Sequence, residues 1–334
     1  MRKVLTVLTG VSLYLVLGAQ GQCFKWNAGN FGFFDNREYY NMYAEPRTMF
    51  GNQVFVAGGF DVDDANSFSA GANFLYEFGS RPTKHNIKPI AYFNHQSENA
   101  KVLLGSFPRH ENYQLPGVLM HDTFQYYRPN NEGIFIGLHY GRAEQNVWID
   151  WISRQTITDR EIFLIGGTGK IVSDKWFARY DFLMSHYACS AANDTTEHIR
   201  DNGGGVFLAG YNFTAMTAFD SLSLQTGITG SYDRLRNVYE LDTRIGNIWE
   251  LFATFKGIGV RSVLYLGEGQ AQMYGDKLYS ARFYERTDFV WQFLRKGRVK
   301  GEINFTVHFL PEVIDFGQSM KVYIEIDGKR MLKR

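Results

Sequence analysis

The sequence predicts an all-β fold, a closed antiparallel transmembrane β-barrel of about 14–16 strands. Three observations carry this prediction: apolar and polar residues alternate along many segments, these segments are about ten residues long, and aromatic residues recur near their ends. Ten residues is roughly the length of a tilted strand that crosses a bilayer. A soluble β-sandwich is the alternative, because it also buries one face of each strand.

Composition narrows the class further. The 334 residues carry 35 Lys and Arg against 34 Asp and Glu, a net charge of +1, so no general attraction to nucleic acid is expected. The 28 Phe, 20 Tyr and 6 Trp, with 34 Gly and only 7 Pro, favour strands joined by tight connections. With a mean hydropathy of −0.27, neither a disordered chain nor a helical membrane protein is expected.

The N-terminus has the layout of an export signal. Arg2 and Lys3 precede an apolar run over 4–17, and small residues lie at Ala19 and Gly21. We therefore predict a cleaved signal peptide over 1–21 and a single barrel domain over 22–334, with 22–48 as the candidate for an N-terminal segment or plug.

Two cysteines remain in the predicted mature chain. Export would permit a disulfide between Cys23 and Cys189, and two unpaired thiols are the equal alternative.

The strands are predicted from period-two patterns. Over 222–233, one face carries Leu222, Leu224 and Ile228 and the other carries mainly polar residues. The same pattern predicts strands, in chain order, over 68–78, 133–141, 146–154, 176–184, 205–216, 222–233, 249–256, 303–309 and 320–326. Aromatic residues near segment ends, as at Trp176 and Phe78, are typical of interfacial girdles.

The connections differ in length. Turn-forming residues over 61–66, 129–132 and 220–221 predict short turns, and polar stretches over 110–117, 190–204 and 268–276 predict long loops. Short turns at one end and long loops at the other are typical of transmembrane barrels.

Together these features resemble the bacterial outer-membrane porin class, and the segment FDNREY at 34–39 resembles the early F-D-x-R-E-type stretch of some porin-like barrels. The resemblance implies an outer-membrane location in a Gram-negative bacterium and passive or weakly selective passage of small polar solutes. It implies contact with outer-membrane lipid and no cofactor. It leaves open whether the protein forms a homo-oligomer. Many such barrels end on an aromatic residue, whereas this chain ends on a basic tail over 329–334.

Charged residues on the polar strand faces are the candidates for the pore lining. Mixed positive and negative charges on the wall would order water and disfavour apolar solutes. Inferred from strand parity, the candidates are Arg179, Asp181, Glu250, Lys256, Arg282, Arg286, Glu302 and Lys321.

An enzyme is a competing interpretation. The His95-x-Ser97 spacing resembles the base and nucleophile of outer-membrane phospholipase and lipid A deacylase barrels. Residues two apart on a strand project to one side, so His95 could accept the proton of Ser97 while Ser97 attacks an ester. The match departs from those families because Glu98 intervenes before Asn99.

A secreted β-sandwich that binds glycans is the other alternative, with Trp148 and Trp151 stacking on a sugar and Asp150 binding its hydroxyls. The eight histidines are scattered without paired spacing, so no metal site and no cofactor are predicted.

Overall fold

The computed structural model describes residues 23–81, 86–192 and 196–331. Within them the chain forms sixteen antiparallel strands in sequence order, and the first pairs with the last to close a barrel. The prediction of a closed barrel is confirmed, and the sandwich alternative is wrong. The predicted signal peptide lies outside the described residues.

The elements follow a simple up-and-down order. The strands are β1 (Cys23–Glu38), β2 (Arg47–Asp61), β3 (Asn66–Glu77), β4 (Ile87–Gln96), β5 (Ala100–Pro108), β6 (Asn130–Tyr140), β7 (Ala143–Ser153), β8 (Ile162–Val172), β9 (Trp176–Tyr187), β10 (Arg200–Asn212), β11 (Ser221–Leu235), β12 (Asp242–Phe255), β13 (Ile258–Gly267), β14 (Phe283–Lys296), β15 (Val299–Phe309) and β16 (Ile314–Met331). The helices are α1 (Phe124–Tyr127) and two 3₁₀ turns, Thr214–Met216 and Lys277–Ser280. Across the described ranges, none of these helices is long and apolar enough to cross a membrane.

The alternation sorts side chains between the two faces of the wall as predicted. On β11, Leu224 and Ile228 are exposed on the outer face, whereas Thr229 and Ser231 are buried on the inner face. Closure leaves the strands without unpaired edges, which long antiparallel strands would otherwise expose.

The connections make the two ends different. At the short-turn end lie 62–65, 97–99, 141–142, 173–175, 213–220, 256–257 and 297–298. Among the described residues, the long-loop end comprises 39–46, 78–81 with 86, 109–129, 154–161, 188–192 with 196–199, 236–241, 268–282 and 310–313. Several boundaries differ from prediction: residues 130–132 begin β6, residues 200–204 begin β10, and β10 ends at Asn212 rather than at 216.

Two long connections fold into the barrel; we call 109–129 lumen loop 1 and 268–282 lumen loop 2. They hydrogen-bond to each other, His121 N to Tyr274 O and Asp276 N to Gly117 O, both at 2.8 Å. Buried apolar residues of both loops pack against inward-facing apolar residues of the wall. The cluster includes Val118, Leu119, Leu278, Leu164, Leu183, Leu208, Ile248 and Tyr265. The inner face of the wall is therefore partly apolar in this half of the barrel, and the packed loops cover it.

The segment over 22–48, predicted as a candidate N-terminal plug, contains a strand of the wall. Residues 23–38 form β1, which pairs along its length with β16 and β2 and so belongs to the wall. Cys23 begins β1 at the short-turn end, and Cys189 follows β9 at the long-loop end. Both thiols are free.

Candidate active site

A buried imidazole lies at the centre of a polar cluster near the long-loop end of the lumen. His308 on β15 is 2% exposed. Its Nδ1 lies 2.8 Å from the hydroxyl of Tyr284 on β14, and its Nε2 lies 3.3 Å from the hydroxyl of Tyr39. Burial raises the pKa of the Tyr39 hydroxyl, so Tyr39 stays protonated in this cluster.

A glycine leaves space beside the imidazole of His308. Gly317 on β16 faces the lumen, and a Cβ at this position would lie 3.9 Å from Nε2 of His308. The alternation of β15 places Thr306 and His308 on the same inner face. Nε2 is therefore the nitrogen that borders the open part of the cluster.

Arg37 ties lumen loop 1 to the wall. Its Nη2 lies 2.8 Å from Oδ2 of Asp35 on β1 and 2.7 Å from Oδ1 of Asp122 on the loop. Burial opposes ionisation of Asp122, but Arg37, with Arg286 and Lys321, outweighs burial and holds the pKa of that carboxyl below its usual range. The hydroxyl of Tyr126 in α1 also donates to Asp35, at 3.0 Å.

Arg286 on β14 presents unused donors. Its Nε donates to both carboxylate oxygens of Asp288, at 3.0 and 2.9 Å. Asp288 is fixed in turn by the hydroxyl of Thr306, at 2.7 Å. The two terminal nitrogens of Arg286 have no hydrogen-bond partner among the described residues, and Arg286 lines the same cleft as His308.

The cleft between these groups has a cavity volume of about 30 Å³ and is lined also by Ser319 and Lys321. The hydroxyl of Thr306 is committed to Asp288, and no contact joins the Ser319 hydroxyl to His308 among the described residues. No set of three or more His, Cys, Asp or Glu in the described ranges is placed to hold a metal ion. The arrangement can therefore activate a water molecule and stabilise a developing negative charge.

A histidine and a hydroxyl residue also contact each other on lumen loop 1. Nδ1 of His121 contacts the hydroxyl of Thr123, which has the same two-residue spacing as His95 and Ser97. Burial, with the nearby cations Arg37 and Lys277, lowers the pKa of His121 to about 4 against the opposing effect of Asp122. Neither His121 nor Thr123 lines the cleft.

The predicted enzyme pair is not brought together. His95 is the penultimate residue of β4, near the short-turn end, and its Nδ1 lies 2.9 Å from Oδ1 of Asn66. The Ser97 hydroxyl contacts the backbone oxygen of Ala100 within its own turn, at 3.2 Å. This pair therefore lies at the opposite end of the barrel from His308.

The predicted lining residues divide into groups. Arg286 and Lys321 line the cleft, and Glu302 shares the inward parity of His308 on β15. Arg179, Asp181 and Glu250 form a separate inward cluster in the half nearer the short turns. There, Arg179 lies 3.4 Å from Asp181 and 3.8 Å from Glu250.

Two lining candidates do not lie on strands. Lys256 occupies the turn between β12 and β13 with a positive φ of 49°, because a two-residue hairpin turn requires a left-handed backbone there. Arg282 precedes β14 and is exposed. Their predicted mid-strand positions are wrong, since the strand boundaries fall one residue short of each.

The residues assigned to a glycan surface point in different directions. Trp148 is buried inside the barrel and stacks on Tyr113 of lumen loop 1, with ring centroids 3.7 Å apart. Asp150 is fully buried and pairs with Arg109 at 2.6 Å. Trp151 is exposed on the outer face. They do not form one binding surface, and this interpretation is wrong.

Sequence reasoning missed the residues around His308. The FDNREY segment contains Asp35, Arg37 and Tyr39, but their role was not inferred from it. The inward parity of His308 was visible in the alternation of 302–309. The alternation could not predict the fold of lumen loop 1. This fold brings Asp122 to Arg37.

The fold and this cluster define a class: a transmembrane barrel of the outer-membrane type whose lumen holds a polar, partly enclosed site. Residues 19–334 match the model of the family described as lipid A 3'-O-deacylase-type, and the chain belongs to this family. None of the curated proteins matches the sequence significantly.

Solved structures with a similar fold are outer-membrane proteins of very low sequence identity. An anion-selective porin from Comamonas acidovorans is 10% identical with a TM-score of 0.54, covering 92% of this chain and 100% of that one. OmpT of Vibrio cholerae, in a loop-deletion mutant, is 6% identical with a TM-score of 0.56, covering 92% and 100%. OmpF of Salmonella typhi, in complex with daunomycin, is 7% identical with a TM-score of 0.54, covering 91% and 97%. At these identities the likeness concerns the fold alone.

Proposed function

We propose that this protein is an outer-membrane hydrolase that removes an ester-linked acyl chain from a lipid A-type glycolipid. The observation that carries the proposal is the His308 cluster, a buried imidazole beside unused guanidinium donors in a cleft of the lumen. Family membership supports the substrate class. The long-loop end would face outwards, as in transmembrane barrels generally, which places the cleft beside the outer leaflet.

The reaction would be hydrolysis by activated water. If Nδ1–H of His308 donates to Tyr284, Nε2 is the unprotonated nitrogen. A water that replaces the Tyr39 hydroxyl at Nε2 gives its proton to Nε2 as the water oxygen attacks the ester carbonyl carbon. The terminal N–H groups of Arg286 stabilise the oxyanion. The bond from the carbonyl carbon to the sugar oxygen then breaks, and His308 returns its proton to the leaving alkoxide. The products are a fatty acid and a sugar hydroxyl.

The test is release of fatty acid from lipid A in detergent micelles, followed by mass spectrometry. We expect release by the wild type and its loss in His308→Ala and Arg286→Met. The variants Ser319→Ala, Thr123→Ala and Ser97→Ala should retain it, because none of these hydroxyls is the proposed nucleophile. Full activity of His308→Ala, or loss in one of the three hydroxyl variants, would overturn this chemistry.

A channel for small polar solutes is the second candidate. Mixed charges line the half of the lumen nearer the short turns, where Arg261 lies 3.7 Å from Glu250. The packed lumen loops oppose an open path through the other half. A conductance step in a planar bilayer would favour the channel, and its absence would favour the hydrolase.

A further inference from the structure

A polar network faces outwards on the strands whose inner faces line the cleft. On β1, Asn36 Nδ2 donates to Oε1 of Gln318 on β16 and to Oε1 of Glu38, both at 3.0 Å. The hydroxyl of Thr48 on β2 donates to Oδ1 of Asn36, at 2.7 Å. We call Asn36, Glu38, Thr48 and Gln318 the outer amide patch.

The patch lies at the headgroup level of the membrane. Two residues further from the long-loop end, Phe34 packs edge-on against Phe50, which packs edge-on against Phe78. Such outward aromatic rows mark the interface between hydrocarbon and headgroups. The outer amide patch is on the headgroup side of this row, so it contacts polar groups rather than acyl chains.

Only the wall and a low rim separate the patch from the cleft. Asn36 alternates with the inward residues Asp35 and Arg37, and Gln318 alternates with Gly317 and Ser319. The connection at the rim here is 310–313, the shortest at the long-loop end of the described barrel. At a rise of about 3.3 Å per residue, a headgroup on the patch lies roughly 7–13 Å below the rim.

The charge of this sector is neutral to acidic. Glu38 is exposed on the outer face, and Glu312 is exposed on the rim. The nearest cation at the rim, Arg47, is turned towards the lumen, where its Nη2 lies 3.1 Å from the hydroxyl of Tyr127. Of the other cations exposed at this end, Arg81 follows β3, two strands from β1, and Arg234 and Arg236 lie on and after β11, across the barrel. Amides, a hydroxyl and a carboxylate suit sugar hydroxyls, whereas a phosphate would meet repulsion from Glu38.

Resting on the proposed hydrolase function, we infer that the outer amide patch docks the sugar that carries the scissile ester. The patch selects a sugar that bears free hydroxyl groups over one that bears a phosphate. The acyl chains of the docked glycolipid would stay against the aromatic row while the ester crosses the rim into the cleft.

The experiment compares two glycolipid probes in detergent micelles: diphosphorylated lipid A and the same lipid with the phosphate removed from the ester-bearing sugar. We expect kcat/KM for fatty acid release to be about 5-fold or more higher for the dephosphorylated probe. Glu38→Gln should reduce this preference by accelerating only the phosphorylated probe. Asn36→Leu and Gln318→Leu should raise KM about 5-fold or more with kcat little changed.

Two controls separate docking from chemistry. Asn52→Leu changes another outward amide on β2, beyond Phe50 on the hydrocarbon side, and should leave both probes unaffected. Hydrolysis of a soluble short-chain nitrophenyl ester should be the same in wild type and patch variants. Equal rates on both probes, or patch variants that behave like wild type, would overturn the docking inference while soluble-ester hydrolysis keeps the proposed function.

A binding measurement decides the inference even if no ester is hydrolysed. Native mass spectrometry of the detergent-solubilised barrel measures how much glycolipid the protein retains. This measurement does not require hydrolysis. Greater retention of the dephosphorylated probe by wild type, lost in Asn36→Leu, supports docking. Equal retention overturns it. Absence of hydrolysis on every ester, soluble or lipid, counts against the proposed function separately.

Discussion

Both halves of the lumen carry charged side chains, but the distances within their ion pairs differ. Near the long loops, two ion pairs are short: 2.6 Å for the buried pair Arg109 with Asp150 and 2.7 Å for the partly buried pair Arg37 with Asp122. Near the short turns, the pairs that Glu250 makes with arginines are 3.7 and 3.8 Å long. The first set holds a loop against the wall, whereas the second set joins strands of the wall to one another, β12 with β13 and β12 with β9.

The difference follows from what fills each half. Lumen loops 1 and 2 exclude water from the long-loop half, so charges there need close partners to offset the cost of burial. Groups held in this way keep a fixed geometry, which is what acid–base chemistry requires. The half without loops can satisfy its charges with water, so close pairing is not required there: the pairs of Glu250 are loose, whereas Lys25 and Asp61 lie 2.6 Å apart. Under the proposed function, the long-loop half carries the chemistry and the other half is a solvated vestibule.

Replacing His308 should have the largest effect. His308→Ala removes the proposed base, and a positioned acid–base group contributes about 10²- to 10⁴-fold, so fatty acid release should fall by that factor. His95→Ala is the matched control, since His95 lies near the short-turn end. It should change the rate less than about 2-fold. A larger loss in His95→Ala than in His308→Ala would reverse the assignment of the two ends.

Breaking one ion pair in each half tests the pairing directly. Arg109→Met leaves the fully buried Asp150 without its cation, which should lower the free energy of unfolding by about 3–5 kcal/mol. Arg261→Met removes a 45% exposed side chain and should cost less than about 1 kcal/mol. Urea titration in micelles, with the folded fraction from heat-modifiable gel migration, measures both. Similar losses in the two variants would mean that the halves do not differ as proposed.

The sequence predicted the wall better than its contents. Period-two alternation is a local property, so Leu224 and Ile228 could be assigned to one face without knowing any partner strand. The Arg37–Asp122 contact joins residues on β1 and on a long loop, and no local pattern encodes such a pairing. Loops that fold inwards also carry few periodic signals, and so Val118 and Leu119 could not be recognised as core residues. The His-x-Ser spacing at His95 can be seen in the sequence. That Ser97 lies in a turn depends on where β4 ends, which the spacing does not show.

Filling the cleft tests whether the space beside His308 is used. A Cβ at Gly317 would make only ordinary contacts, the nearest at 3.6 Å, so the alanine variant should fold normally. Gly317→Leu extends into the space before Nε2 and should reduce hydrolysis about 10-fold or more, whereas Gly317→Ala should have a smaller effect. Rates on lipid A, with gel migration as the folding control, separate the two variants. Equal activity of the leucine variant and wild type would mean that substrate approaches His308 from elsewhere.

The smallest expected effect concerns pH and the attachment of lumen loop 1. His121 has a pKa of about 4 in the folded protein against 6.5 as its ordinary value, so the unfolded chain binds more protons below pH 6.5. The stability contributed by neutral His121 is therefore complete above pH 6.5 and is lost as the pH falls towards 4. Between pH 7 and about pH 5.5 the loss should be roughly 1 kcal/mol. His121→Gln, which does not titrate, should show a correspondingly smaller decrease in urea titrations at the two pH values. An unchanged pH dependence in this variant would show that His121 does not stay neutral within the packed half of the lumen.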